Sequence, residues 1–164
     1  MEEYIVKIEN IEKITHDVFR IEVLKPADYS FTPGQATEIS INKNDWKGEK
    51  RPFTFTSLPH QPLLEFTIKV YPEHNGVTNQ ISQLKKGDEL IIREVWGAIN
   101  YKGEGLFIAG GAGITPFLSI FRYLKSTNEL GNNKLIFANK TKQDIIQEGE
   151  LTEMLGDKCV NILS

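Results

Sequence analysis

The stretch from Arg51 to Ser57 gathers side chains that could hold a flat molecule bearing phosphate. Its sequence is Arg-Pro-Phe-Thr-Phe-Thr-Ser. A guanidinium suits a phosphate as a planar bidentate donor, an aromatic ring can stack on a heterocycle, and a hydroxyl can hydrogen-bond a ring nitrogen. In an extended strand Arg51, Phe53 and Phe55 share one face, and Thr54 lies on the other. Taken alone, the pattern is also that of an ordinary amphipathic strand.

Two glycine-containing segments could bind phosphate through main-chain N–H groups. Gly76-Val77-Thr78-Asn79 opens a short helical pattern, and unpaired N–H groups at a helix start attract anions, although Thr78 or Asn79 could equally serve only as a helix cap. Residues 107–116, Phe-Ile-Ala-Gly-Gly-Ala-Gly-Ile-Thr-Pro, run from an apolar strand through a glycine turn into a helix. Glycines let a pyrophosphate approach the backbone. The spacing nevertheless departs from G-x-G-x-x-G, because Pro116 stands where its last glycine would be.

Together and in this order, the three segments resemble the ferredoxin–NADP reductase superfamily. The flavin part of that family carries an R-x-[YF]-[ST] strand followed by a G-x-x-[ST] helix start, and its nucleotide part opens with G-G-x-G-[IV]-[TA]-P. The corresponding residues here are 51–54, 76–79 and 110–116. The resemblance covers almost the whole chain. It implies a small reductase of the flavodoxin or ferredoxin type, without a fused iron–sulfur domain.

The resemblance also implies a role for each matching residue. Arg51 and the amides of 77–79 would hold the FAD pyrophosphate, and Phe53 would stack on the flavin. Thr54 would hydrogen-bond flavin N5 and Thr115 would sit where nicotinamide meets flavin, so these two are the expected catalytic residues. The backbone of 68–70 would follow the isoalloxazine edge, and the glycine turn would cradle the pyrophosphate of NAD(P)H. The expected cofactor-binding residues are Arg51, Pro52, Phe53, Thr54, Ile68, Lys69, Val70, Gly76, Val77, Thr78, Asn79, Gly110, Gly111, Gly113, Ile114, Thr115 and Pro116.

The elements that must position these residues fall into two groups. The sequence predicts a first group of six short strands with turns between them, at 4–14, 18–24, 36–41, 52–56, 64–71 and 89–95. It also predicts one helix, at 76–84. Such a run predicts a small antiparallel barrel, which the resemblance makes a six-stranded Greek-key flavin-binding barrel. The second group alternates strand and helix, with strands at 105–109, 134–138 and 158–163 and helices at 116–124 and 148–155. This alternation predicts a partial Rossmann-like parallel α/β domain. We expect the boundary to separate residues 1–101 from 102–164.

The chain departs from the family pattern at two places. Phe53 replaces the tyrosine of many relatives, which keeps the stacking surface and loses a phenol hydrogen bond. Residues 97–100, Gly-Ala-Ile-Asn, stand where the family often has G-P-[FY]-G. The crossing between the two parts is therefore expected to be looser or shifted.

The third departure is length. Family members continue for roughly half a nucleotide domain more, and with strand order 3-2-1 the strand 105–109 would be an unpaired, apolar sheet edge, which favours association. We therefore expect a truncated protein that keeps FAD, holds the nicotinamide nucleotide poorly and forms a homodimer through this edge.

Composition narrows the classes of function. The net charge is −3, so no basic footprint for nucleic acid is present, and the single cysteine, Cys159, excludes an iron–sulfur cluster or a zinc site built from several cysteines. His16, His60 and His74 show no ligand-like spacing, so no metal is expected. The longest uncharged stretch, 105–121, is broken by glycines and is shorter than the ~20 residues of a membrane span. With no signal peptide at the N-terminus, the expected location is the cytoplasm.

The expected function is that of an FAD-dependent oxidoreductase that moves electrons between NAD(P)H and an acceptor such as ferredoxin or flavodoxin. Lys140 and Lys142 follow the second α/β strand, where the adenosine ribose lies in such folds, and they favour NADPH slightly unless they are ordinary surface charges. Two alternatives remain open at this stage: an FAD-binding electron-transfer or regulatory subunit without NAD(P)H activity of its own, and a non-catalytic interaction module.

Overall fold

The computed structural model describes residues 2–164 and begins with an antiparallel barrel. Its sheet has the strand order β4-β3-β6-β1-β2-β5. A short helix, α1, lies between β5 and β6 in the chain. The bounds are β1 Tyr4–Lys13, β2 Val18–Leu24, β3 Ala36–Ile41, β4 Arg51–Thr54, β5 Leu63–Lys69, α1 Val77–Ile81 and β6 Glu89–Ile92. The predicted six-stranded antiparallel barrel is thus confirmed.

The barrel is nearly closed, with a seam where its two terminal strands meet. The chain just after β4 joins β5 through the bridge between Phe55 and Phe66 and through the Thr56 N–H, which donates to the Glu65 carbonyl over 2.8 Å. Beyond this point, among residues 2–164, β4 pairs only with β3, and β5 pairs only with β2. Along the rest of the seam, each strand therefore has one edge free of a neighbouring strand.

Apolar side chains that alternate along the strands fill the barrel. Phe55 and Phe66 are completely buried, and Phe31 stacks on Phe55 with ring centroids 4.4 Å apart. Burial of large apolar side chains is worth about 1.5–3 kcal/mol each, so this aromatic group is a main source of the barrel's stability.

The second part is a three-stranded parallel sheet with two helices. Its elements are β7 Leu106–Gly110, α2 Thr115–Ser126, β8 Lys134–Asn139, α3 Glu148–Leu155 and β9 Cys159–Leu163, in the sheet order β7-β8-β9. The predicted parallel α/β unit and its strand order are confirmed. Val18 of the barrel is buried in the core of this unit, together with Leu118 and Phe121 of α2. The two parts therefore share apolar packing.

The β7 strand lies at one edge of this parallel sheet. Within residues 2–164 it pairs with β8 only, and the side chains of Leu106 and Ile108 are 56% and 66% exposed. The apolar, unpaired edge expected from the sequence is therefore present. In the same part of the chain, no helix is both long enough and apolar enough to cross a membrane.

Several boundaries differ from those the sequence predicts. Helix α1 covers only five residues, 77–81, instead of 76–84. Strand β6 ends at Ile92 instead of 95, and the chain after it contacts β3 through the hydrogen bonds of Arg93 with Thr37 and the bridge between Ala36 and Trp96. Helix α2 begins at Thr115 because a 3₁₀ turn, Gly111–Ile114, runs directly into it.

Candidate functional site

A cleft of about 370 Å³ follows the seam between β4 and β5. The free edges of the two strands form its floor, α1 closes one end, and the start of α2 forms the wall from the α/β unit. Its lining residues are Arg51, Pro52, Phe53, Thr54, Thr67, Lys69, Tyr71, His74, Gly76, Val77, Thr78, Ala112 and Thr115. The fold thus brings parts of all three sequence segments into one cleft.

Arg51 supplies the cleft with an accessible positive charge. Its side chain is 49% exposed, its Nη1–H donates to the Lys50 carbonyl over 2.7 Å, and the nearest carboxylate, Glu49, lies 3.9 Å away. One ion pair at that distance on the surface is weak. The guanidinium therefore keeps donors free for an anion such as a phosphate.

Phe53 and Thr54 present different surfaces to the cleft. Phe53 is half-buried and packs against the barrel core, so its ring is held from behind while part of it remains accessible. Thr54 is half-buried on the opposite face of the strand. A ring fixed in this way offers a flat stacking surface at little cost in side-chain entropy.

On the other side of the seam, β5 contributes Thr67 and Lys69, whereas its neighbours point elsewhere. The side chain of Ile68 is completely buried in the barrel core. Val70 is buried as well, and its N–H donates to the Asp17 carbonyl over 2.8 Å. Any contact between a ligand and Ile68 must therefore come from its backbone.

The loop between β5 and α1 adds residues that sequence reasoning missed. Tyr71 stacks on His74 with ring centroids 5.8 Å apart, and Lys69 Nζ lies 5.5 Å from the Tyr71 ring centroid. The Tyr71 N–H donates to Thr78 Oγ1 over 3.2 Å, which ties this loop to α1. These residues follow β5 directly, so an extension of the predicted edge contact by a few residues could have found them.

The wall from the α/β unit is formed by Ala112 and Thr115. Thr115 is buried, and its hydroxyl donates to the Ala112 carbonyl over 3.1 Å. This bond holds the turn before α2 in place. Ala112 stands between the glycines of the motif and was not expected at the cleft.

A second cleft, of about 450 Å³, lies at the carboxyl ends of β7 and β8. Gly110 and Gly111 line it, and Gly111 has φ +53°, a conformation that favours glycine. Asn139, at the end of β8, is buried, and neither polar atom of its side chain has a hydrogen-bond partner within residues 2–164. In open α/β sheets, ligands bind outside the carboxyl ends of the strands. Lys69 lines both clefts, so the two sites are adjacent.

The remaining predicted residues lie outside both clefts. Ile114 and Pro116 are buried in the packing of the α/β unit, and Gly113 is exposed with open space around it. Asn79 is half-buried on α1 and does not line the seam cleft. A contribution from the buried pair to nucleotide binding is limited to their main chain.

A polar cluster beside the second cleft was not visible in the sequence. One polar side-chain atom each of His16, Asp17 and Asp144 lies within 4.8 Å of the other two. His16 Nε2–H donates to Asp144 Oδ1 over 2.5 Å. Hydrogen bonds, above all from His16 and then from Thr141, lower the pKa of Asp144 to about 2. The cluster joins the β1–β2 turn to the segment after β8. Because 128 residues separate the hydrogen-bonded pair, no local spacing announces it.

The sequence matches two protein families, one for each part of the fold. The family described as "FAD-binding domain" matches residues 3–103, which is more than half of the chain, and the family described as "Oxidoreductase NAD-binding domain" matches residues 107–160. These matches place the chain in the class of two-part flavoproteins that bind FAD and a nicotinamide nucleotide. Within that class, it belongs to the ferredoxin–NADP reductase superfamily.

Individual relatives agree with this assignment. The chain is 30% identical over 156 residues to the reductase component of propane 2-monooxygenase from Rhodococcus jostii, covering 90% of this chain and 41% of that protein. It is 27% identical to a flavodoxin/ferredoxin–NADP reductase from Buchnera aphidicola, covering 90% of this chain and 61% of the relative. The chain therefore spans about half the length of these curated relatives.

A solved structure supports the fold independently. The ferredoxin–NADP⁺ reductase of Plasmodium falciparum superposes with a TM-score of 0.84 at 18% identity, covering 99% of this chain and 70% of that one. Because the identity is this low, the likeness concerns the architecture: a barrel followed by a parallel α/β unit.

The residues of the seam cleft fit FAD by the chemistry of their donors. The accessible guanidinium suits the diphosphate of FAD, and the half-exposed ring suits its flat heterocycle. The two free strand edges offer main-chain hydrogen bonds beside them. The unpartnered amide of Asn139 beside a glycine turn fits a polar ligand at the second cleft.

Proposed function

We propose that this chain forms the electron-transfer part of an NAD(P)H oxidoreductase that passes electrons through FAD to a small electron-transfer protein. The observation that carries the proposal is the composition of the seam cleft. Residues of β4, β5 and α1 meet Ala112 and Thr115 of the α/β unit there. A ligand on the barrel and a ligand on the glycine turn would therefore meet at one place.

On the barrel side, we assign the cofactor to the seam. Arg51 with the amides of 77–79 would bind the pyrophosphate, since Arg51 and the start of α1 line the same cleft. Phe53 would stack on the ring system, and Pro52 would hold β4 extended beside it. Thr54 would donate to flavin N5, while the backbone of 68–70 would follow the ring edge.

On the nucleotide side, we assign NAD(P)H to the second cleft. Gly110 and Gly111 line this cleft, and together with Gly113 and the backbone of 114–116, which follow them in the chain, they would hold its pyrophosphate. Thr115, which lines the seam cleft, would lie where the nicotinamide reaches the flavin. Lys140 lines this cleft and would favour the phosphate of NADPH. We place the boundary between the two parts at residues 101 and 102.

With these assignments, the flavin and the protein have different roles in the reaction. When bound, the flavin supplies the redox chemistry, since it takes two electrons as hydride and can release them singly. The residues of the chain bind, align and shield; no side chain is required as an acid or a base. The acceptor we propose is a ferredoxin or flavodoxin, in keeping with the name of the Buchnera relative, a flavodoxin/ferredoxin–NADP reductase.

The proposed function also has a cellular location and an oligomeric state. We assign the protein to the cytoplasm, where such acceptors are reduced, because its single cysteine suits a reducing compartment. We further propose that a second copy pairs with the exposed β7 edge, where Leu106 and Ile108 stand open. A clean monomer in size-exclusion chromatography at high concentration would contradict the pairing.

The first experiment is an absorbance spectrum of the purified protein, before and after anaerobic addition of NADPH. We expect flavin bands that bleach on addition. Bands that persist with both NADPH and NADH would instead indicate an FAD-binding subunit that receives electrons from a partner. A protein that stays colourless after incubation with FAD would contradict the proposal altogether.

A further inference from the structure

Arg122 on α2 joins the α/β unit to the barrel by direct hydrogen bonds. Its Nη1–H groups donate to the Thr56 carbonyl over 2.8 Å and to Glu65 Oε2 over 2.6 Å, both on the barrel. Its Nε–H and Nη2–H donate to the two carboxylate oxygens of Glu150 on α3, each over 2.7 Å. One guanidinium therefore fixes three elements at once, with four directional bonds.

The environment of this guanidinium keeps it charged. Burial opposes the charge, but the hydrogen bonds and attraction from Glu150 and Glu65 outweigh it, so the pKa of Arg122 is raised above its ordinary value. The side chains of Arg122 and Glu65 are only 17% and 11% exposed. The forked pair of Arg122 with Glu150 fixes the orientation of the guanidinium, which directs Nη1 at Glu65, and a lysine cannot do this.

We call Arg122 and its partners Thr56, Glu65 and Glu150 the anchor. Hydrogen bonds continue from this anchor into the seam cleft. Thr56 Oγ1 donates to the same Glu65 oxygen over 2.5 Å and lies 3.1 Å from Thr67 Oγ1. Thr67 lines the cleft. The barrel side of the anchor is therefore hydrogen-bonded to the floor of the candidate site.

The α2 side of the anchor is equally close to the site. Thr115 and Arg122 are seven residues apart on one helix, which is nearly two turns, so both side chains lie on the same face and about 10.5 Å apart along the axis. On the barrel, Thr54 and Thr67 of the cleft are each two residues from Thr56 and Glu65 of the anchor. Arg122 thus links the helix that begins at Thr115 to the barrel segments that carry Thr54 and Thr67.

We propose that Arg122 is a positioning residue that aligns the nucleotide-binding turn with the flavin site. The inference rests on the proposed function, because it assigns Arg122 to the geometry of that same reaction. Glu65 and Glu150 are its partners, and none of the three needs to touch FAD or NAD(P)H.

The test compares Arg122→Lys and Arg122→Met with a matched control, Lys125→Met. Lys125 lies on the same helix and also pairs with α3, through Glu153 at 3.7 Å, but this exposed pair does not reach the barrel. In stopped-flow reduction by saturating NADPH, we expect both Arg122 variants to slow flavin reduction roughly 10- to 100-fold, the scale of a misplacement near 1 Å. Affinity for FAD should change less than twofold in all three variants, and the control should match the parent protein.

Two further readouts separate positioning from folding. The long-wavelength charge-transfer absorbance of the NADPH–flavin complex should weaken in both Arg122 variants. In calorimetry, the α/β unit should unfold before the barrel in these variants and together with it in the parent protein. Normal reduction rates with intact charge-transfer absorbance would overturn the inference, as would a loss of FAD affinity parallel to the loss of rate. If neither NADPH nor NADH reduces the parent protein, the proposed function fails, whereas the calorimetric comparison still decides whether Arg122 joins the two parts.

Discussion

Neighbouring residues along the seam serve different purposes, because successive side chains of a strand point to opposite faces. Phe55 is completely buried and stacks on Phe31, Thr54 lines the cleft, and Thr56 bonds to Glu65 beneath α2. The barrel core and the candidate site therefore come from one short segment. A substitution at Arg51 or Thr54 therefore tests the site, whereas one at Phe55 tests the fold.

Arg51→Ala should weaken FAD binding without unfolding the barrel. Loss of a hydrogen bond to a charged group costs about 1.5–3 kcal/mol, which raises the dissociation constant by roughly 10- to 150-fold. Fluorescence titration of the apoprotein with FAD measures this change. Lys50→Ala is the matched control, since it removes the neighbouring positive charge, which does not line the cleft. Equal affinity in both variants would refute the phosphate role of Arg51.

Gly34 shows how closely the chain after β6 packs onto the barrel. It has φ +105°, and a Cβ there would lie 2.4 Å from the carbonyl oxygen of Ile99. The segment 97–100 differs from the family's usual motif, and its contact with Gly34 shows that the crossing is held tightly at this point.

Gly34→Ala should therefore destabilise the protein. Strain at such a backbone conformation costs about 1–3 kcal/mol, and each kcal/mol lowers the melting temperature by roughly 2–4 °C in a chain of this size. Thermal unfolding followed by circular dichroism measures the shift. Gly48→Ala serves as the control, because no atom lies within 4 Å of its Cβ position and its φ is not in the left-handed region. Two variants with the same melting temperature would show that Ile99 can move away.

At the scale of elements, the strands are where the sequence is most informative. The alternation in 18–24 and 36–41 predicts β2 and β3 with the observed bounds. The strand order of the α/β unit follows equally well from its topology. The helix at 76–84 was overestimated because Val77, Ile81 and Leu84 keep a helical spacing, although α1 ends at Ile81.

The candidate site is less predictable, because it depends on how the barrel closes. The segments 51–54 and 76–78 carry recognisable chemistry, whereas Thr67 and Ala112 become part of the cleft only through the seam and the docking of α2. The pairs Arg122 with Glu65 and His16 with Asp144 join residues 57 and 128 positions apart. No local pattern encodes such separations, so the contacts between the two parts had to come from the structure.

At the scale of the whole molecule, two polar contacts flank the shared apolar packing of the two parts. Arg122 with Glu65 forms one, and His16 with Asp144 forms the other. The second contact depends on an ionised carboxylate, so it introduces a dependence on pH. Because the folded pKa of Asp144 is below its ordinary value of 3.8, its ionisation stabilises the folded state above about pH 4.

Acidification should therefore weaken this contact between about pH 4 and pH 2, as Asp144 takes up a proton. Melting temperatures of the parent protein should fall through this range. Asp144→Asn and His16→Ala should lower stability at neutral pH and flatten the fall in acid, while Asp157→Asn, an exposed site in the turn before β9, should leave both unchanged. An undiminished acid response in Asp144→Asn would show that other carboxylates cause it.

The seam also bears on how the cofactor enters and leaves. Phe55 and Phe66 are completely buried and bridge the two strands beneath the seam, so FAD would bind outside a core that protein side chains fill. We therefore expect exchange with free flavin to depend on contacts along the seam cleft. Saturation at a hundred times the dissociation constant would add about 2.7 kcal/mol to the stability of the folded state. The concentration of free FAD thereby sets both the loaded fraction of the protein and the stability that binding adds.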